Sequence, residues 1–213
     1  MEISRRIKNI VLVGKFNPAS FDKYFFIKNE ILKEEEILTG SIFGALGGMQ
    51  LVSNKYNIII SINQIIISAT NPEKDDDEIE ATIISLIKGA KKVNVVALGM
   101  NFHWHIEDSE KSMEIISKEF FYNDKLDLFT KFFNSEDALF GAYASINYMD
   151  SRLKLDIKPN NIIDNASKKN VMNFAFNFHF DIVNRDDNSE LIKYLSDYNA
   201  YKEKSEEIIS IFK

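Results

Sequence analysis

Hydrophobic and polar positions alternate with a period of two along much of the chain, a pattern that predicts strands half-buried in a sheet. The longest run is 93–107. Its even positions are Val96, Leu98, Met100, Phe102, Trp104 and Ile106, and its odd positions include Ala97, Gly99, Asn101, His103 and His105. Residues 171–183 repeat the pattern, with Met172, Phe174, Phe176, Phe178, Phe180 and Ile182 facing one way and Asn173, Asn177, His179 and Asp181 the other. Shorter β-branched runs predict strands at 7–16, 49–53, 56–62, 64–70, 139–150 and 152–158, separated by polar residues such as Asn54 and Asn63. Elsewhere the spacing turns helical. Ile79, Ile83, Leu86 and Ile87 form one stripe, Met113, Ile116 and Phe120 a second, and Leu126, Phe129 and Phe133 a further set. Leu191, Leu195, Tyr198, Ile208 and Phe212 predict a final helix over 189–212, and Pro18 with Ser20 as N-cap opens one over 20–32. The polar stretch 158–170 reads as a linker or mobile loop.

The order is strand, helix, three strands, helix, given once in 1–90 and again in 91–213. It predicts an α+β fold: a single domain over 1–213 with one large, mainly antiparallel sheet of about eight strands and helices on one face. The two halves read as a pseudo-duplicated β-α-β-β-β-α unit on element order, with no residue-level identity between them. A parallel α/β sheet fits poorly, because several strands follow one another without an intervening helix. One face of such a sheet is covered and the other can meet solvent or a partner.

Composition strengthens this reading. The chain has 213 residues, among them 30 Ile and 17 Phe, types that favour pleated, half-buried surfaces. It has no cysteine, which removes disulfides, thiolate nucleophiles and cysteine-based metal sites and fits a cytoplasmic protein. The formal net charge of −6 argues against nucleic-acid binding, which rests on clustered Lys and Arg. Arg5, Arg6 and Lys8 precede an apolar run of only Ile10 to Val13, too short for a secretory signal, and no segment is long and apolar enough to span a membrane.

Candidate chemistry is sparse. All three histidines fall on the polar faces of the two long strands. His103 and His105 share a face, about 6–7 Å apart along the strand. If the strand carrying His179 and Asp181 lies beside them, three imidazoles and a carboxylate could gather around a transition metal such as Zn, Asp181 serving as fourth ligand or as a group orienting an imidazole. Polar sheet faces also carry histidine without any metal, so a His-x-His pair is weak on its own. The segment 39–48 holds four of the eight glycines, but its spacing fits no phosphate loop, and a bent or mobile connection accounts for it. The acidic run Asp75, Asp76, Asp77, Glu78 and Glu80 lacks calcium-loop spacing and reads as the favourable first turn of a helix. No nucleophile elbow is present.

The helix expected over 20–32 is apolar most of the way round, with Phe21, Tyr24, Phe25, Phe26, Ile27 and Ile31. Such a helix needs cover on more than one side, which together with two open sheet edges predicts a homodimer or higher homo-oligomer. The expected function is that of a non-enzymatic binding or assembly protein using its sheet face and loops to engage itself or a protein partner. The rival expectations are a metal-binding protein or metal-dependent enzyme with a His103/His105/His179 site, and a small-ligand pocket between sheet and helices gated by 39–48.

Overall fold

A computed structural model describes the chain except residues 46–47, 76–77, 91–92, 165–166, 186 and 213; of residues 45, 163–164 and 167–168 it describes the backbone alone. Among the described residues nine strands form one antiparallel sheet. They are β1 (Glu2–Lys15), β2 (Ile42–Ala45), β3 (Gly48–Val52), β4 (Tyr56–Ser61), β5 (Gln64–Ala69), β6 (Asn94–Glu107), β7 (Ala142–Tyr148), β8 (Ser151–Asp164) and β9 (Ser167–Asp181). Their spatial order is β2-β3-β4-β5-β1-β6-β9-β8-β7. The halves meet at the antiparallel pair β1–β6. Outward from it lie β5, β4, β3 and β2 on one side and β9, β8 and β7 on the other.

Among the described residues six α-helices accompany the sheet: α1 (Lys23–Lys28), α2 (Ile79–Gly89), α3 (Met113–Phe121), α4 (Asp127–Phe132), α5 (Ser189–Ser196) and α6 (Tyr198–Ile209). The even positions of β6 and β9 supply much of the core. Phe102, Phe174, Phe176 and Phe178 are wholly buried, in one cluster with Ile83 and Leu86 of α2, Leu195 of α5 and Tyr201 of α6. Rings order this layer: Tyr201 packs edge-on to Phe180 with centroids 5.2 Å apart, and Phe102 lies 5.4 Å from Tyr198. α4 contributes no buried residue.

Several expected elements differ. The helix over 20–32 is a short 3-10 turn (Pro18–Ser20) followed by the six-residue α1, whose N-cap is Asp22 rather than Ser20. Phe21 and Phe26 enter the core of this chain, so the surplus of apolar residues there does not call for a second subunit. Part of the glycine-rich segment is the edge strand β2, with Leu46 and Gly47 outside the described residues. The described part of 158–170 is strand rather than loop: Pro159 pairs with Met172 and Asn161 with Asn170 as β8 and β9 extend, with residues 165–166 outside the described ones. The final helix is two, α5 and α6, meeting at Asp197.

One irregularity redirects side chains. Between Arg5 and Ile7 the β1–β6 register shifts by one residue, so Ile7 faces His103 while Arg5 faces Trp104. The bulge at Arg6 turns Arg5 onto the covered face beside Lys8. Both cations are buried, Arg5 4% and Lys8 2% exposed. Asp75 answers them: its Oδ1 lies 2.6 Å from Arg5 Nη2 and 3.0 Å from Lys8 Nζ, and its Oδ2 lies 3.0 Å from Lys202 Nζ. Glu206 of α6 takes Arg5 Nη1 at 2.9 Å, and the guanidinium carbon sits 5.4 Å from the Trp104 ring centroid. This network ties β1 to α6 and to the loop ahead of α2. Of the acidic run, Asp75 therefore has a structural task, Glu80 lies in the first turn of α2, and Asp76 and Asp77 fall outside the described residues.

Candidate binding surfaces

The uncovered sheet face follows from the odd positions of β6 and β9. Asn9, Asn101 and Asn177 stand in register on β1, β6 and β9 and form a ladder. Asn101 Nδ2 donates to Asn9 Oδ1 at 2.7 Å, and Asn177 Nδ2 donates to Asn101 Oδ1 at 2.6 Å. Beyond the ladder on the β8 side the face is charged, with Arg152, Lys154, Asp156 and Lys158. Toward β4 it is aliphatic, with Ile59, Ile66 and Val11 opposite one another in successive strands.

The register decides where the histidines lie. His179 pairs with Gly99, whereas His103 pairs with Ala175 and His105 with Asn173. Four residues of strand at about 3.4 Å each put His179 roughly 13 Å from His103, and His105 is further still. The strands do lie side by side, but the antiparallel offset separates the imidazoles. His103 and His105 form one pair. His179 Nε2 and Asp181 Oδ1, 3.3 Å apart, form another at the far end of the face. The four residues thus do not gather into one metal site, and among the described residues no group of three His, Asp or Glu side chains is placed to hold a metal ion.

Both members of the first pair favour the neutral imidazole. Burial, then the charge of Lys158, pulls His103 below its ordinary range, with Asp156 opposing. Burial, Arg6 and His103 do the same to His105, against a side-chain hydrogen bond to Asn173 and the charge of Glu107. His105 Nδ1 and Ser4 Oγ, on residues paired across β6 and β1, are buried with no hydrogen-bond partner among the described residues.

A second surface lies at one sheet edge, which sequence patterning did not single out. Among the described residues, seventeen large hydrophobic side chains are exposed, and eight fall within residues 126–149: Leu126, Leu128, Phe132, Phe133, Leu139, Tyr143, Ile146 and Met149. That segment is 24 of 213 residues. Phe132 on α4 is 76% exposed, and Tyr143 and Ile146 on β7 are 66% and 62% exposed. Phe129 is anchored by stacking on Tyr122 and by an edge contact with Phe140, which leaves Leu128 and Phe132 in solvent. β7 is the outermost strand, seven residues long, fully in register with β8, and carries no charge and no proline. Ile146 stands opposite the buried Leu153, so it belongs to the helix-side face at a point the helices do not reach. One guard is present: Arg152 of β8 donates through Nε to Ser145 Oγ at 2.7 Å and through Nη2 to the Ser145 carbonyl at 3.3 Å. The opposite edge is better blunted. β2 has four residues, an irregular register with β3, and Gly44 at φ +72°.

No known protein-family model matches the sequence, and no curated protein is detectably similar to it. Among the described residues no helix is long and apolar enough to cross a membrane.

Proposed function

We propose that the protein is a non-enzymatic binding or assembly module that engages a second copy of itself, or another protein, through the edge formed by α4 and β7. One observation carries this reading: nearly half of the exposed large hydrophobic side chains are concentrated in residues 126–149. Exposed apolar side chains gathered on α4 and on both faces of the edge strand, Tyr143 on the uncovered side and Ile146 on the helix side, favour a protein contact there. The uncharged β7 supports it, since natural sheets blunt edges that are meant to stay solvated. The net charge of −6 favours a protein over a polyanionic partner. A metal-dependent alternative has less behind it, because the register parts His179 and Asp181 from His103 and His105.

Sedimentation from nanomolar to high micromolar concentration tests the self-assembly form. The wild-type chain should sediment above 24.6 kDa, and Phe132→Glu with Ile146→Lys should return it to that mass without loss of helix or strand signal. For another protein as partner, a photo-crosslinker at position 146 should give a discrete adduct that Phe132→Glu abolishes. A monomeric wild type with no such adduct overturns the proposal.

A further inference from the structure

A cavity of about 560 Å³ lies where the chain leaves β1, packs α1 and returns from α2. It shares no residue with the α4–β7 edge, and the glycine-rich segment does not line it. Phe16, Phe21, Phe25, Ala90 and Val93 are its apolar lining. Phe21 and Phe25 meet edge to face with centroids 5.0 Å apart. Ligand sites of about 300–1,000 Å³ with mostly apolar walls and a few convergent polar groups are the usual form of a small-molecule pocket. Gly89, at the end of α2, lets α2 approach Asn29 closely: a Cβ there would come within 2.8 Å of Asn29 Cγ.

The polar groups at the mouth are unequal. Asp22 is committed, since its Oδ1 accepts the Phe25 N–H at 2.7 Å as the N-cap of α1. Asn29 Nδ2 donates to the Phe25 carbonyl at 2.8 Å. Lys28 is not so engaged. Its ammonium lies 5.9 Å from the Tyr24 ring centroid, with no carboxylate in ion-pair reach among the described residues. An apolar chamber with a cation at its rim that lies over the Tyr24 ring and has no carboxylate partner among the described residues matches a ligand with an apolar body and one negative end.

We propose that this cavity is a binding site for a small apolar carboxylate, an aromatic ring or short alkyl chain held among Phe16, Phe21 and Phe25 with its carboxylate on Lys28. The ring faces and Ala90 recognise the body through area removed from water. Lys28 supplies a charge-assisted hydrogen bond that selects an anion over a neutral or cationic head.

The test uses the full chain and three matched probes, octanoate, octanol and octylammonium, followed by amide chemical shifts and calorimetry. Octanoate should saturate at one per chain, with shifts centred on residues 16–29, Gly89, Ala90 and Val93, and should bind more tightly than octanol. Octylammonium should bind most weakly. Lys28→Glu, an exposed substitution, should weaken octanoate about tenfold or more and leave octanol nearly unchanged. Ala90→Trp should abolish binding of both by filling the chamber; Ala90 has φ −77° and ψ 124°, which a tryptophan also adopts. If Ala90→Trp does not fold, Lys28→Glu alone decides. No saturable octanoate binding, shifts elsewhere on the surface, or equal affinity for octanoate and octylammonium would each overturn the assignment.

Discussion

Replacing Asp75 with Asn removes the carboxylate facing Arg5, Lys8 and Lys202 while keeping its shape. Stripping one partner from a fully buried ion pair costs about 3–5 kcal/mol, because the remaining charge is stranded away from water. Asp75 is itself 50% exposed, so water replaces part of what it gave, and Glu206 still holds Arg5. Titration supplies a second measure. Burial pushes the Asp75 carboxyl up, but the hydrogen bonds from Lys202 and Lys8 and the charges of Arg5 and Lys8 outweigh it and bring it from 3.8 to about 2. A shift of that size, reduced for solvent screening at a half-exposed group, is worth about 1 kcal/mol. Together these set the expected loss for Asp75→Asn at about 1–2 kcal/mol, or about 2–8 °C in Tm for a chain of this length. Because the folded value lies below the unfolded one, this stabilisation is fully present above about pH 4 and fades as pH falls toward 2. Urea unfolding of wild type and variant at pH 7 and again near pH 2.5 measures both effects: the gap should be open at pH 7 and narrower in acid. Equal stability of Asp75→Asn and wild type at pH 7 would refute the claim that this carboxylate holds the buried cations.

Phe176→Ala should cost about 3–5 kcal/mol by chemical denaturation, as expected for emptying a wholly buried aromatic site. Gly14→Ala should destabilise strongly, since its Cβ would lie 2.0 Å from the Asn94 carbonyl oxygen; a melting temperature within a degree of wild type would contradict the close β1–β6 approach. His103 and His105 are held below the ordinary imidazole value, so the unfolded chain takes up protons first as pH falls through about 6.5. Stability should therefore drop between about pH 7 and 5, and His103→Gln with His105→Gln should flatten that slope in urea melts.

The covered face of the sheet was legible because period-two alternation on 93–107 and 171–183 is long, and a one-residue slip would expose every phenylalanine. The edge surface was not. Leu126, Phe129 and Phe133 have helical spacing like Met113, Ile116 and Phe120, and spacing alone cannot say that α3 finds a sheet to cover while α4 does not. The absence of charge in β7 was the one available signal. Sequence placed all three histidines on one face, yet convergence depended on the relative offset of β6 and β9, to which each strand's own pattern is indifferent in steps of two residues.

Local chemistry by itself determined the antiparallel α+β class and which side of 93–107 and 171–183 is apolar, because side-chain direction in a strand follows from backbone period alone. Only the tertiary structure decided the pairing of β1 with β6, the bulge that turns Arg5 inward, the carboxylate that answers it and the apolar residues left uncovered. These are relations between segments distant in sequence, settled by which packing fills space and neutralises buried charge, and no single segment encodes them.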